Sequence, residues 1–433
     1  MALTDFTIVR RSMTARPFST VTTIITVAVA VGLMLVLLSM RDASRQAFER
    51  GSGNMHLLLS RDSSPLVSVL NGVFYANAPP RPITWQEFRA LTDTSNPDNF
   101  VAAGLDWAVP VQLGDSFRGL PVLATSADFF SKFRADPEQP WRLADGRYFE
   151  RELEIVVGGT AARRTGLRIG DTVIVTHGLP RRGDADSAGA APHEHTEFRF
   201  RVVGILEPTG SSHDRALFMN LESSWLMHAF DRRLAEDARA GVPTVADLQD
   251  RDRLITGVYL RVVDNRAYQA VFDALRRDGR FVVAAPSNEI KRLFDIIGNI
   301  DQIFLAMAGV VMVSSGIAIM LALYNSMEQR RRQIAVLRVL GCSRPRVFGL
   351  IVTESAVIGL IGAAAGVALA SAGGLMVSTV LRQRLGLVVE PKMPMDAIAA
   401  VVLATIALAS AAGIVPALVA YRTPVAKNLK PLG

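Results

Sequence analysis

Five of the six histidines in this chain fall within one 52-residue stretch: His177, His193, His195, His213 and His228. Two of them sit beside acids, in His193-Glu194-His195 and His213-Asp214. Neutral imidazole is a borderline-soft ligand that suits zinc or copper, and a nearby carboxylate can share the metal. His177, His193, His195 and His213 are the candidate ligands for zinc or another metal. Against that, the spacing satisfies no metal-binding rule. Residues 182–192 (RGDADSAGAAP) are small and polar, as in a mobile surface loop where histidine is merely tolerated. Both readings stay open. The Arg-Gly-Asp at 182–184 is short enough to be accidental.

Glu354 is the other chemically pointed residue. It lies ten positions beyond Arg344, inside an apolar run. A carboxylate there is costly, so it serves either as part of a gate or as a structural hydrogen bond between helices. Signals for covalent or hydrolytic chemistry are missing. The chain has no G-x-x-x-x-G-K-[ST], no G-x-S-x-G and no H-E-x-x-H. It is therefore expected not to be an enzyme, and any ATP and Mg must be bound by a partner.

The elements that position these residues follow from composition. Half of the 433 residues are apolar while 20% are charged, which fits a few membrane spans plus a sizeable soluble part. The formal charge is +7, but the arginine clusters sit beside apolar runs, which favours membrane lipid over nucleic acid as the partner. The single cysteine, Cys342, excludes a disulfide framework. Residues 21–40 form a charge-free run long enough to cross a bilayer. A cleaved signal peptide would have a shorter apolar core and a small-x-small site. This run ends in Leu37-Leu38-Ser39-Met40-Arg41, so an uncleaved span is expected. Further spans are read at about 300–325, 347–380 and 397–420.

Arg10, Arg11 and Arg16 place residues 1–20 in the cytoplasm, and Arg422, Lys427 and Lys430 place the C-terminus there too. Residues 41–299 then lie outside. Within them, 83–91 reads as a short helix with Thr84 as N-cap and Glu87 at capping-box spacing. A β-rich part covers about 150–225, with strands at 153–157, 171–176, 198–206 and 215–219. An α/β part covers about 255–292, as strand 255–263, helix 266–277 and strand 280–284. The fold class is an α-helical membrane protein with four transmembrane helices plus a mixed α/β and β-rich extracytoplasmic domain.

Between the second and third spans, residues 327–352 read MEQRRRQIAVLRVLGCSRPRVFGLIV. Six arginines (Arg330, Arg331, Arg332, Arg338, Arg344, Arg346) face one acid, Glu328. Ile334, Leu337, Val339 and Leu340 recur at helical spacing, and Gly341 is suited to end that helix before Ser343 caps the next. A basic helix pinned between spans can rest on lipid headgroups or dock on another protein. In the third span Gly359, Gly362 and Gly366, with Ala363 and Ala370, make a small-residue face for close helix packing.

The string from Glu328 to Glu354, ERRRxIAVLRxLGxSxxxVFxLxxxEx with departures at Gln329 and Gln333, resembles the cytoplasmic loop of the FtsX-like, MacB-type ABC transporter permeases. The one-plus-three span layout and the closing PALVAYRTPVAKNL are similar to that family as well. The resemblance implies a 300–433 permease domain in which 328–341 is a coupling helix. Glu328, Arg330, Arg331, Arg332, Ile334, Leu337, Arg338, Gly341 and Arg344 would contact a separate ABC ATP-binding subunit. It also implies a second permease copy, identical or related, and location in a bacterial inner membrane. The substrate implied is extracytoplasmic: a lipoprotein, peptide, drug or metal-related compound, with an adaptor or lipoprotein as further partner. The alternative is an FtsX-like signalling subunit that controls an external protein such as a cell-wall hydrolase. A membrane-bound metalloenzyme would rest on the histidines alone.

Overall fold

The computed structural model describes residues 5–137, 139–178, 194–237, 239–385 and 393–422. The chain divides into two units. One comprises Met1–Ala43, Ile297–Thr379 and Glu390–Gly433; the other comprises Ser44–Ile296 and Val380–Val389.

In the second unit, runs of branched and aromatic residues form strands that are buried on both faces, so they read as nearly continuous apolar segments. Among the described residues, eleven strands make one mixed sheet. They are β1 (Leu57–Ser60), β2 (Leu105–Phe117), β3 (Leu120–Thr125), β4 (Leu143–Gly146), β5 (Glu154–Val157), β6 (Thr172–Val173), β7 (Thr176–His177), β8 (Phe200–Leu206), β9 (Leu217–Asn220), β10 (Gly257–Val262) and β11 (Val282–Ala284). The spatial order is β11-β1-β10-β2-β3-β9-β5-β8-β4, with β6 on β8 and β7 on β2. Pairing is antiparallel except for β3 with β9 and β5 with β8. The β-rich and α/β parts therefore share a single sheet. Its centre, β2 and β3, lies in a region for which the sequence reading named no element.

Two cores cover the two faces. Leu57, Leu59, Val122, Ala124, Ile155, Val157 and Val202 point into one, while Leu58, Val109, Val111, Leu123, Val156 and Val203 point into the other. The alternation within single strands, such as Leu57, Leu58 and Leu59, is the period-two signature of a two-sided sheet. The helix α3 (Leu221–Glu236) starts on an Asn220 side-chain cap and covers the first face. The amphipathic helix α4 (Asn265–Asp278), capped by Asp264, buries Val271 and Leu275 there too. The short helix Trp85–Thr92 has the capping box of Thr84 and Glu87 in full.

The first unit is helical. After the short α1 (Asp5–Thr14) come α2 (Pro17–Ser52), α5 (Pro286–Val339), α6 (Arg344–Leu385) and α7 (Met395–Arg422). α2 and α5 each also contribute residues to the sheet unit. Among the described residues, four stretches are long and apolar enough to cross a membrane: Pro17–Ser39, Leu305–Asn325, Arg344–Val380 and Met395–Arg422. Along α5, Ile303, Met307, Val310, Ile317, Leu321 and Tyr324 form an exposed apolar stripe at helical spacing, as expected where lipid is the solvent. Small residues face inward instead. Gly362 meets Val27 and Gly366 meets Val31 and the Ala28 carbonyl of α2, while Gly359 meets Ala409 of α7. The sequence-derived face of Gly359, Gly362 and Gly366 thus serves two neighbours at once.

Candidate functional site

The basic segment sits at the end of α5. The run Met327–Gln333 consists of good helix formers with no glycine or proline, so the helix continues unbroken to Val339. The segment 328–341 is therefore the tail of the second span's helix, not a helix apart. Gly341, at φ +96°, closes it, and the Gly341 amide donates to the Arg338 carbonyl at 3.2 Å. The next helix opens with the Val347 amide donating to the Ser343 carbonyl.

Ile334 departs from the contact role the resemblance implies. It is buried with Val347, Ile351, Ala417 and Ala420, because helix spacing turns it toward α6 and α7. Val336, Val339 and Leu340 are exposed instead, and Leu340 is 79% exposed. Arg338 is half-buried, and the exposed Arg344 holds its guanidinium 5.9 Å from the Tyr421 ring. The side chains of Glu328, Arg330, Arg331, Arg332 and Leu337 lie outside the described residues. The tip thus offers apolar residues on a basic helix end.

Glu354 is buried in α6, and the Ser12 hydroxyl donates to its Oε1 at 2.6 Å. Ser12, Arg16, Ser19, Thr20 and Thr23 line a small cavity with it. The acid therefore ties α1 to α6. This is the hydrogen-bond arrangement that a structural role requires.

The histidines separate into two groups. His213 is fully buried among the rings of Phe129, Phe133 and Trp141. Its Nε2 lies 3.0 Å from the Gly51 carbonyl and its Nδ1 meets the Tyr75 hydroxyl. Both ring nitrogens are used, so His213 is not a metal ligand here. Its neighbour Asp214 accepts from the backbone amides of Thr209 and Gly210, each at 2.8 Å, rather than supporting the imidazole. Burial lowers the His213 pKa to about 4.

The other group assembles on β2, β7 and α3. Gln112 pairs with Ala124 and Leu113 with Leu123, yet Asp115 pairs with Val122, which leaves Gly114 as the extra residue of a bulge. The bulge turns Asp115 to the same face as Gln112. Across the strand pair Asp115 stands directly opposite His177. His228 arrives from α3, and its Nδ1 lies 3.0 Å from Gln112 Nε2. One ligand atom from each of Asp115, His177 and His228 lies within 4.8 Å of the other two. His177 Nδ1 is 3.3 Å and His228 Nε2 3.7 Å from the same oxygen, Asp115 Oδ1. His195 is buried behind them, its ring 6.2 Å from that of His177 and 6.5 Å from that of His228, and its Nδ1 is 3.5 Å from Asp231 Oδ1. His193 and residues 182–192 lie outside the described residues.

Burial alone would raise the Asp115 pKa, but hydrogen bonds from His177 and His228 outweigh it and hold the carboxyl well below its usual range. The same bond to Asp115 raises His177 against the opposing effect of burial. Asp115 is the residue that the sequence reading missed, and His228 was noted there without a ligand role. The His228–Asp231 pair, three apart on one helix face, was the signal available for the second.

Comparison with known proteins agrees with this architecture. Residues 20–278 match the family profile of the MacB-like periplasmic core domain, and residues 305–425 that of the FtsX-like permease C-terminal region. The chain is 24% identical over 311 residues to the Macrolide export ATP-binding/permease protein MacB of Nitrobacter winogradskyi, covering 68% of this chain and 42% of that protein. It is 26% identical over 227 residues to the Lipoprotein-releasing system transmembrane protein LolC of Xylella fastidiosa, covering 50% of this chain and 46% of the relative. The chain thus spans less than half the length of these curated relatives. With four apolar helices of spanning length and a sheet domain inserted after the first, it is a multi-pass membrane protein that belongs to the FtsX/MacB-type ABC permease family.

Proposed function

We propose that this chain is the membrane-spanning subunit of an ABC transporter and works with a separate ATP-binding subunit. The supporting observation is the tip of α5 and its turn, where Val336, Val339 and Leu340 stand exposed on a segment whose sequence carries the arginine run. An exposed apolar patch on a basic rim suits a protein partner better than water. In this reading ATP and Mg are bound by that partner, in keeping with a sequence here that carries no P-loop motif. In this reading the tip faces the cytoplasm, as do both termini, and the sheet domain lies outside the bacterial inner membrane. Two permease copies pair, surrounded by lipid. Nucleotide-driven closure of the ATPases biases a two-state arrangement of the helices. The sheet domain then acts on an extracytoplasmic substrate such as a lipoprotein, peptide or drug, with an adaptor where one is needed. The similarity to MacB and LolC favours this over an FtsX-like signalling role toward a cell-wall hydrolase.

The test is a pull-down of the tagged full chain from native membranes in mild detergent, with partners identified by mass spectrometry. A P-loop ATPase in roughly equal amount is expected, and it should be lost from Arg331→Glu/Arg332→Glu and from Leu340→Asp while membrane insertion is kept. Unchanged recovery of the ATPase by both variants would remove the α5 tip as its docking site.

A further inference from the structure

We infer that Asp115, His177 and His228 form a binding site for one divalent transition-metal ion of imidazole preference, zinc above all, with the buried His195 next to it. The inference stands apart from the transport reading, since either can fail without the other.

Donor type comes first. Two imidazoles with one carboxylate suit zinc or copper(II) and suit calcium or magnesium poorly, because the latter take mainly oxygen. Geometry comes second. With metal–ligand bonds of about 2.0–2.1 Å, the ligand atoms of a tetrahedral site lie about 3.3–3.4 Å apart. The two nitrogens stand 3.3 and 3.7 Å from Asp115 Oδ1, close to that edge length. Burial comes third. The Asp115 side chain is 3% exposed, and a carboxylate held there needs positive charge nearby, which a dication supplies in full.

The surroundings fit a ligand-orienting role. His228 would bind through Nε2, leaving Nδ1–H to donate to Gln112. As placed, Gln112 turns Nε2 toward Nδ1 and leaves its buried Oε1 without a hydrogen-bond partner. A half-turn of the amide, whose O and N ends are nearly isosteric, puts Oε1 at that position and satisfies it. His195 has Asp231 behind Nδ1, the carboxylate backing common to metal-bound histidines. The bulge at Gly114 serves the same end by bringing Asp115 and Gln112 to one face. The ion would join β7 to α3 and to the middle of the sheet.

The experiment uses the full chain on a histidine-free affinity tag in detergent, stripped with a chelator and then dialysed against Zn2+. One equivalent of zinc per chain is expected by elemental analysis. Cobalt(II) substitution should give the intense visible bands of a tetrahedral site. His177→Gln, at a half-exposed position, should weaken zinc binding more than tenfold, and Asp115→Asn should do the same. Gln112→Ala should keep the stoichiometry but lose about 10–100-fold in affinity, the loss typical when a residue that holds a metal-bound histidine by a hydrogen bond is removed. His193→Ala should change neither. Absence of stoichiometric zinc in the native chain, or native zinc affinity retained by both His177→Gln and Asp115→Asn, would overturn the site. Loss of zinc on His193→Ala with the other variants unaffected would move the binding elsewhere and overturn it equally.

Discussion

The helical unit and the sheet unit solve the packing problem in opposite ways. In the sheet unit, large rings fill the interior: Phe129 is wholly buried, with Phe133, Trp141 and Phe218 at 5.0, 5.6 and 5.3 Å. Its cohesion comes from removing apolar area from water. In the helical unit many large side chains, such as Ile303, Met307 and Leu321, point outward beside a smaller buried core, and glycines let backbones approach. Lipid tails are as apolar as leucine, so burial gives those helices little reason to associate; close contact and hydrogen bonds must do so. The lesson is that one chain obeys two solvents, and a residue's worth depends on which one it faces.

That contrast can be broken at several points. The largest effect is expected from Phe129→Ala, which should cost about 3–5 kcal/mol in the sheet unit through lost burial and the cavity left behind. Denaturant unfolding followed by tryptophan fluorescence would measure it, and a cost under about 1 kcal/mol would mean the aromatic core is not the main support.

His213 gives the next effect. Its pKa in the folded chain, about 4, lies below the ordinary 6.5, so the unfolded chain takes up the proton first. The stability it contributes is complete above pH 6.5 and is lost as pH falls toward 4, by on the order of 3 kcal/mol. Unfolding midpoints at pH 7 and pH 4.5, compared between the native chain and His213→Gln, isolate it. The native chain should show the steeper loss. Equal slopes would remove the histidine from the account.

Gly366→Val should destabilise the helical unit by about 1–3 kcal/mol, because a β-carbon there meets Val31 and the Ala28 carbonyl. Thermal denaturation in detergent should fall while the tryptophan signal of the sheet unit stays constant. Tolerance of valine would show that close backbone approach is not what holds α6 to α2. The smallest effect belongs to Glu354→Gln, which keeps an acceptor for Ser12 and should cost about 1 kcal/mol or less. Reconstituted ATPase and transport rates provide the sharper measurement. Coupled rates are expected if the acid is structural; hydrolysis without transport would make it a gate.

Much of this was legible in the chain because its signals are local. Charge-free runs, Gly341 at the turn, and Thr84 with Glu87 at a helix start need no knowledge of distant residues. The strand readings near 154, 200, 217 and 257 hold for the same reason. The candidate metal ligands fared worse, because ligation is a property of space. His213 looked like His195 in sequence, an imidazole near an acid, yet the fold sends one into an aromatic core and the other toward Asp231. Asp115 escaped notice in a segment with no element assigned. Strict alternation would also have set it with Val109, Val111 and Leu113, on the face opposite the histidines.

The Gly114 bulge has a consequence for that strand as a whole. Before it, Val109, Val111 and Leu113 belong to one core; after it, Phe117 belongs to the other. The bulge is thus a phase switch, and Asp115 is the first residue beyond it. Side-chain direction in a strand takes only two values. A carboxylate placed by such a switch is either in the histidine cluster or on the far side of the sheet, with no intermediate setting, so this corner of the protein is all-or-none by construction.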